Sequence, residues 1–202
     1  MAYMQDREFT NYVHEHLAVP QIYSQMDWVV QENNDLNERL RINIDMNNAV
    51  DYMAVNAQRR IVTIQERFRE AKYSNYTDFT IRYMRPENIH EDRRMSEFFK
   101  LDSNYFIYGT IDTSKSNYRN ARRFLKYAVL NLVRLKERID DGTIIIDENL
   151  SGRTCRQEGN KMRCPVNNNT DHSSNFVPFD IIILSRVAPE VIEYQEGFIP
   201  TN

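Results

Sequence analysis

Two apolar runs near the start of the second quarter of this 202-residue sequence place its most chemically capable side chains close together. Ala49-Val50-Asp51-Tyr52-Met53-Ala54-Val55 is followed by turn residues from Asn56 to Arg60, and then by Ile61-Val62-Thr63-Ile64-Gln65-Glu66-Arg67. Folded as a hairpin, these runs set a carboxylate on one strand beside an amide, a second carboxylate and a guanidinium on the next. Converging carboxylates are what a hard divalent cation needs, and a cation beside them can hold a phosphate while metal-bound water attacks it. Side chains alternate along a strand, so Gln65 and Arg67 share one face and Glu66 takes the other. Either Gln65 and Arg67 line a site with Asp51, or a bulge turns Glu66 toward it. The plainer alternative is that Asp51 ends a strand at the surface while Glu66, Arg67 and Arg69 form solvated ion pairs.

Asp51 followed on the next strand by Gln65-Glu66-Arg67 resembles the D…(E/Q)-x-(K/R) signature of the PD-(D/E)XK nuclease superfamily, which includes restriction endonucleases and Holliday-junction resolvases. Ser96-Glu97-Phe98-Phe99-Lys100-Leu101-Asp102-Ser103-Asn104, running into Tyr105-Phe106-Ile107-Tyr108-Gly109, looks like the place where a helix in those enzymes hands over to the strand after the active site. The resemblance covers Asn43 to Ile139. It implies a restriction-endonuclease-like α/β core (α+β being the alternative), with a mixed central sheet flanked by helices. It implies Mg²⁺ or Mn²⁺ held by Asp51, Gln65 and Glu66, with Glu15 on the first helix as a further ligand, and DNA, double-stranded or branched, cut by a homodimer. Arg67 stands where the family usually has lysine, and an arginine does not give up its proton at neutral pH. Gln65 is neutral where most members carry an acid. The resemblance therefore also admits a catalytically inactive nuclease-fold protein that binds DNA or acts as a scaffold. A compact chain of this kind with an extra hairpin further resembles products of viruses or mobile elements, such as archaeal spindle-shaped viruses.

Arg119, Arg122, Arg123 and Lys126 fall at i, i+3, i+4 and i+7, while Leu125, Ala128, Val129, Leu132 and Val133 cover much of the other side. This spacing predicts a helix over Asn117 to Ile139, capped from Ser114, Ser116 or Asn117 and ended by Asp141-Gly142, with a basic stripe for a phosphate backbone. A solvated helix face explains the same charges. Cys155 and Cys164 flank a hairpin-like turn at Glu158-Gly159-Asn160-Lys161, a spacing that admits a disulfide as well as two free thiols. With His172 they still leave a zinc tetrahedron one ligand short. His14 and His16, two apart on a helix, do not face each other.

The elements that must position these groups follow from the hydrophobic period. Residues 1–41 read as helices, with Pro20 restarting the chain, and Tyr23, Met26 and Trp28 serve equally as core or as a dimer surface. Residues 42–149 read as the core, with strands at Ala49–Val55, Ile61–Phe68, Phe79–Met84, Tyr105–Ile111 and Thr143–Ile146. Residues 150–174 read as a polar insertion, and residues 175–202 as a C-terminal strand (Phe179–Leu184) and tail, all within one domain. At 41% hydrophobic and 27% charged residues the chain is globular, and a net charge of −3 demands a local basic patch for any nucleic-acid binding. No run approaches the roughly 18 to 20 apolar residues of a membrane span, and Asp6-Arg7-Glu8 is no signal-peptide core, so an intracellular protein is expected. No Walker loop, GxSxG elbow, GxGxxG or HExxH occurs.

Overall fold

The centre of the molecule is built from segments rich in Ile, Val, Phe and Tyr, residues that favour a pleated surface buried on both faces. In the computed structural model, which describes residues 2–30, 50–85, 98, 102–170 and 174–198, these segments form a mixed six-stranded sheet. Its strands are β1 (Val29–Val30), β2 (Tyr52–Val55), β3 (Ile61–Arg69), β5 (Tyr105–Ile111), β6 (Phe124–Asn131) and β12 (Ile192–Glu196), in that spatial order. β3 and β5 are parallel, and the other neighbours are antiparallel. A second sheet takes the order β10 (Asn167–Asn168), β11 (Asn175–Asp180), β4 (Asp78–Arg82). A third takes the order β7 (Ile144–Asp147), β9 (Lys161–Pro165), β8 (Arg156–Glu158). The architecture is mixed α/β, compatible with α+β.

Alternation along the central strands feeds two separate cores. From β5 and β6, Ile107, Ile111, Tyr127 and Val129 meet Phe9, Val13, Leu17, Ala18 and Ile22 of the N-terminal helix. Phe106, Tyr108, Ala128 and Leu130 face the other way, onto Phe79 and Ile81 of β4, Val177 and Phe179 of β11, and Met162 and Cys164 of β9. Helices α2 (Leu132–Asp140) and α3 (Ile181–Val187) close this second core with Leu132, Leu135, Ile181 and Leu184. Among the described residues no helix is long and apolar enough to cross a membrane.

Several expected elements are corrected. The long basic helix over Asn117 to Ile139 does not exist. Lys115–Asn120 is a 3-10 turn, Phe124–Asn131 is β6, and only Leu132–Asp140 is helical. A strand buried on both faces reads as a continuous apolar run, which an i, i+3, i+4 pattern also fits. The strand expected at Phe179–Leu184 ends at Asp180, whose side chain accepts from Ile183 N (2.9 Å) and starts α3. The N-terminal region is not helical throughout, since Val29–Val30 is a strand. The span from 150 to 174 is more than an appended insertion, because β9 pairs with β7 and buries Met162 and Cys164. The C-terminal tail supplies β12 to the central sheet. Tyr23 and Trp28 are buried within the chain, and Met26 is partly buried against the same core, so the core reading holds for Tyr23 and Trp28. The segment from Ser96 to Lys100, apart from a helical Phe98, lies outside the described residues, as do Leu36 to Leu40 and His172.

Candidate functional site

Ala2–Val13 forms helix α1, and the chain continues without a break into a π-helix at His14–Tyr23 that carries Pro20 inside it. The wider winding shows at its end, where Ser24 N donates to Val19 O (3.1 Å) five residues back. It also decides which side chains meet. His14 and Tyr23 are nine residues apart, which α winding of 3.6 residues per turn would place on opposite faces. At about 4.4 residues per turn they return to nearly the same face.

Both reach Glu66. His14 Nδ1 lies 3.0 Å from each carboxylate oxygen, and Tyr23 OH donates to Oε1 at 2.7 Å. The Glu66 side chain is inaccessible to solvent, and that of His14 is 7% exposed. Tyr52 stacks on the imidazole, with centroids 3.6 Å apart and planes at 2°. Burial, and then the Glu66 charge, hold the Tyr23 phenol well above its ordinary pKa, so it remains a donor.

Asp51 lies just before β2 at the exposed edge of this cluster. Its N–H donates to Ile64 O (2.9 Å), and its Oδ2 accepts from the backbone N–H of Glu66 (2.7 Å). The carboxylate thus continues the β2–β3 ladder where the main chain of β2 has stopped. Asp51 and Glu66 are adjacent, as the sequence spacing anticipates, but through a side chain on a backbone.

The rest of the expected quartet lies across the sheet. The β2–β3 and β3–β5 registers run without a bulge, so Gln65 and Arg67 take the face opposite Glu66. Arg67 Nη1 donates to Thr80 O (2.8 Å) and Arg69 Nη2 to Thr80 Oγ1 (2.7 Å), which ties β3 to β4 in the neighbouring sheet. Gln65 is buried, with Oε1 unpartnered among the described residues. Glu15 is exposed on the π-helix.

A magnesium or manganese ion does not fit this donor set. The Glu66 oxygens already accept from His14 and Tyr23 in a closed pocket, Gln65 faces away, and Mg²⁺ demands several open oxygens with room for its retained waters. No protein-family model, curated protein or solved structure matches the chain.

The expected basic group is also rearranged. Lys126 is buried, donating to Ser74 O (2.7 Å) and Tyr76 O and lying over the Phe198 ring. Arg119, Arg122 and Arg123 are exposed on the turn before β6 and make no ion pair among the described residues. Other groups hold the backbone of that turn. Tyr12 OH donates to Arg119 O (2.8 Å), Gln21 Nε2 to Arg122 O (3.2 Å), and Arg122 N to Asp112 Oδ1 (3.1 Å). Around it lie Tyr118, T-shaped to Tyr12, and His16, stacked on Tyr12 at 4.1 Å.

A second polar cluster surrounds Asp78 on the Arg67 face. Burial raises its pKa most, opposed by the charges of Arg69 and Lys126 and reinforced by Asp180. A carboxyl group whose folded pKa is raised binds its proton more tightly in the native state, so stability declines as pH climbs from the ordinary aspartate range through the raised value. Asp78→Asn is therefore expected to flatten this decline and to leave the protein relatively more stable near neutrality. Urea titrations at successive pH values measure it. A neutral-pH loss in the variant would mean that the attraction of the Arg69 and Lys126 charges outweighs desolvation.

Proposed function

We propose that the chain is a DNA-binding protein that does not cleave, with the nuclease-like hairpin serving as scaffold. The observation that carries this reading is the state of Glu66, whose oxygens are taken by His14 and Tyr23 inside the fold. Its hydrogen bonds brace the π-helix on the sheet. Binding is assigned to Arg119, Arg122 and Arg123, whose guanidinium groups project from a turn already fixed through its backbone. A pre-ordered turn loses little entropy when its charges meet phosphates. Arg123 also lines a cleft of about 370 Å³ with Gln21, Gln25, Tyr127 and Glu196, where a strand held along the turn can seat a base or sugar.

Metal-dependent cleavage is the second reading; it rests on the sequence resemblance and on Asp51 lying beside the Glu66 backbone, and it requires Glu66 to give up its bonds to His14 and Tyr23. One experiment separates the two. Supercoiled and branched DNA are incubated with the protein and Mg²⁺ or Mn²⁺, and affinity is measured over a range of salt. Binding without nicking is expected, with a log–log salt slope that falls by about 2 in the Arg122→Ala/Arg123→Ala double variant. Nicking that Asp51→Ala abolishes would establish the nuclease reading instead. Absence of binding at low salt would reject both in favour of a protein-interaction role.

A further inference from the structure

Cys155 and Cys164 flank the β8–β9 hairpin, where Arg156 pairs with Arg163, Gln157 with Met162 and Glu158 with Lys161. Continuing that register by one step sets the two cysteines directly opposite each other. Residues opposed in an antiparallel ladder have Cα atoms about 4.5 to 5.5 Å apart and share a face, which lies within the range a disulfide spans. Both thiols are free, and their Sγ atoms lie 3.5 Å apart. Cys164 is buried in the core behind the central sheet, whereas Cys155 is only half-buried and its thiol donates to Pro178 O of β11 (3.1 Å). Of the two residues, Cys155 is the less buried and Cys164 lies wholly within the core.

We propose that Cys155 and Cys164 are a thiol–disulfide modification site, oxidised by exchange with a small disulfide such as glutathione disulfide. The Cys155 thiolate attacks one sulfur of glutathione disulfide, forming a mixed disulfide and releasing one glutathione thiolate. Cys164, after losing its proton, attacks the Cys155 sulfur, forms the intrachain bond and releases the second glutathione. Two protein thiols are oxidised and one glutathione disulfide is reduced to two glutathiones, with the protons passing to the leaving thiolates. Burial of Cys164 and the neighbouring Cys155 raise the Cys164 thiol pKa, and with the lesser burial of Cys155 this sets the order: Cys155 attacks the glutathione disulfide first, and Cys164 then resolves the mixed disulfide. Closing the bond removes the S–H contact to Pro178 and ties the exposed chain before β8 to a strand of the core.

The test uses the folded, fully reduced chain exposed to glutathione disulfide at neutral pH, then alkylated and weighed intact. The expected product has lost two hydrogens, carries no alkyl group and no glutathione, and melts about 5 °C higher than the reduced form. Cys164→Ser is expected to stop at one glutathione adduct on Cys155, and Cys155→Ser to remain unmodified at its buried thiol. Wild type that keeps two alkylatable thiols, or that accumulates a lasting glutathione adduct, overturns the proposal whatever the variants do. Rapid adduct formation at Cys164 in Cys155→Ser overturns the order of attack.

Discussion

Replacing Glu66 with alanine is expected to destabilise the chain by about 3 to 5 kcal/mol, the cost of removing one partner from a buried, hydrogen-bonded ionisable group. The loss comes from what remains. His14 Nδ1 and Tyr23 OH, both turned inward by the π-helix, would point at a cavity with neither an acceptor nor ready access to water. Glu66→Gln keeps the shape and one acceptor but loses the charge-assisted bonds, so a smaller loss of about 1 to 2 kcal/mol is expected. Urea unfolding at neutral pH with an unchanged slope measures both. A double-mutant cycle with Tyr23→Phe should show coupling above about 0.5 kcal/mol, because the two groups share a bond. The series also bears on function. If Glu66 serves as a brace, Glu66→Gln that remains folded keeps its DNA affinity and its indifference to Mn²⁺. If Glu66 serves as a metal ligand, wild type gains thermal stability from Mn²⁺ and the variant does not.

What the sequence reveals and what it hides have identifiable physical causes. Tyr105 to Ile111 reads as a strand from composition and is one over the same residues, because a short β-branched and aromatic run has one good outcome. Ile61 to Arg69 is nearly as plain. The segment from Phe124 to Asp140 is ambiguous, since its apolar residues satisfy both a buried strand and a helix face. The signal that divides it is Asn131, which ends β6 and caps α2 by accepting from Arg134 N (3.1 Å). Asp180 plays the same part before α3, where three consecutive isoleucines otherwise read as strand.

The candidate site was legible only in half. The proximity of Asp51 and Glu66 follows from counting residues around the hairpin, and alternation alone warns that Glu66 parts from Gln65 and Arg67. The partners of Glu66 were hidden because α periodicity sets His14 and Tyr23 on opposite faces. Pro20 is the clue, since a proline inside a helix disturbs its regular ladder of hydrogen bonds. A histidine among Val13 and Leu17 on an apolar helix face is the other, because a buried imidazole needs a partner.

Gly109→Val is expected to cost about 3 kcal/mol and to disturb the arginine turn from a distance. Gly109 lies mid-way along β5, between Phe68 on β3 and Tyr127 on β6. A Cβ there would come within 2.6 Å of Phe124 Cε1 and 2.7 Å of Cδ1, closer than carbon atoms approach, with Phe68 at 3.4 Å. Phe124 has little room to withdraw, since its buried ring packs on Phe68 (5.5 Å between centroids) and Tyr127 (5.7 Å). Overpacking of this kind typically costs about 1 to 3 kcal/mol, and valine adds two further methyl groups beyond the first contact. On the proposed DNA-binding reading the consequence extends to binding, because Phe124 directly follows Arg122 and Arg123 and its N–H donates to the Gln21 amide (3.4 Å) that also holds Arg122 O. Pushing the ring outward therefore loosens the backbone that aims two of the three arginines. The expected pattern is lower stability in urea together with weaker DNA binding by the fraction that stays folded. Phe124→Leu, which vacates part of the ring's space, should recover some of the stability when combined with Gly109→Val while costing stability alone. Purely additive losses would show that the glycine is required for some reason other than the ring above it.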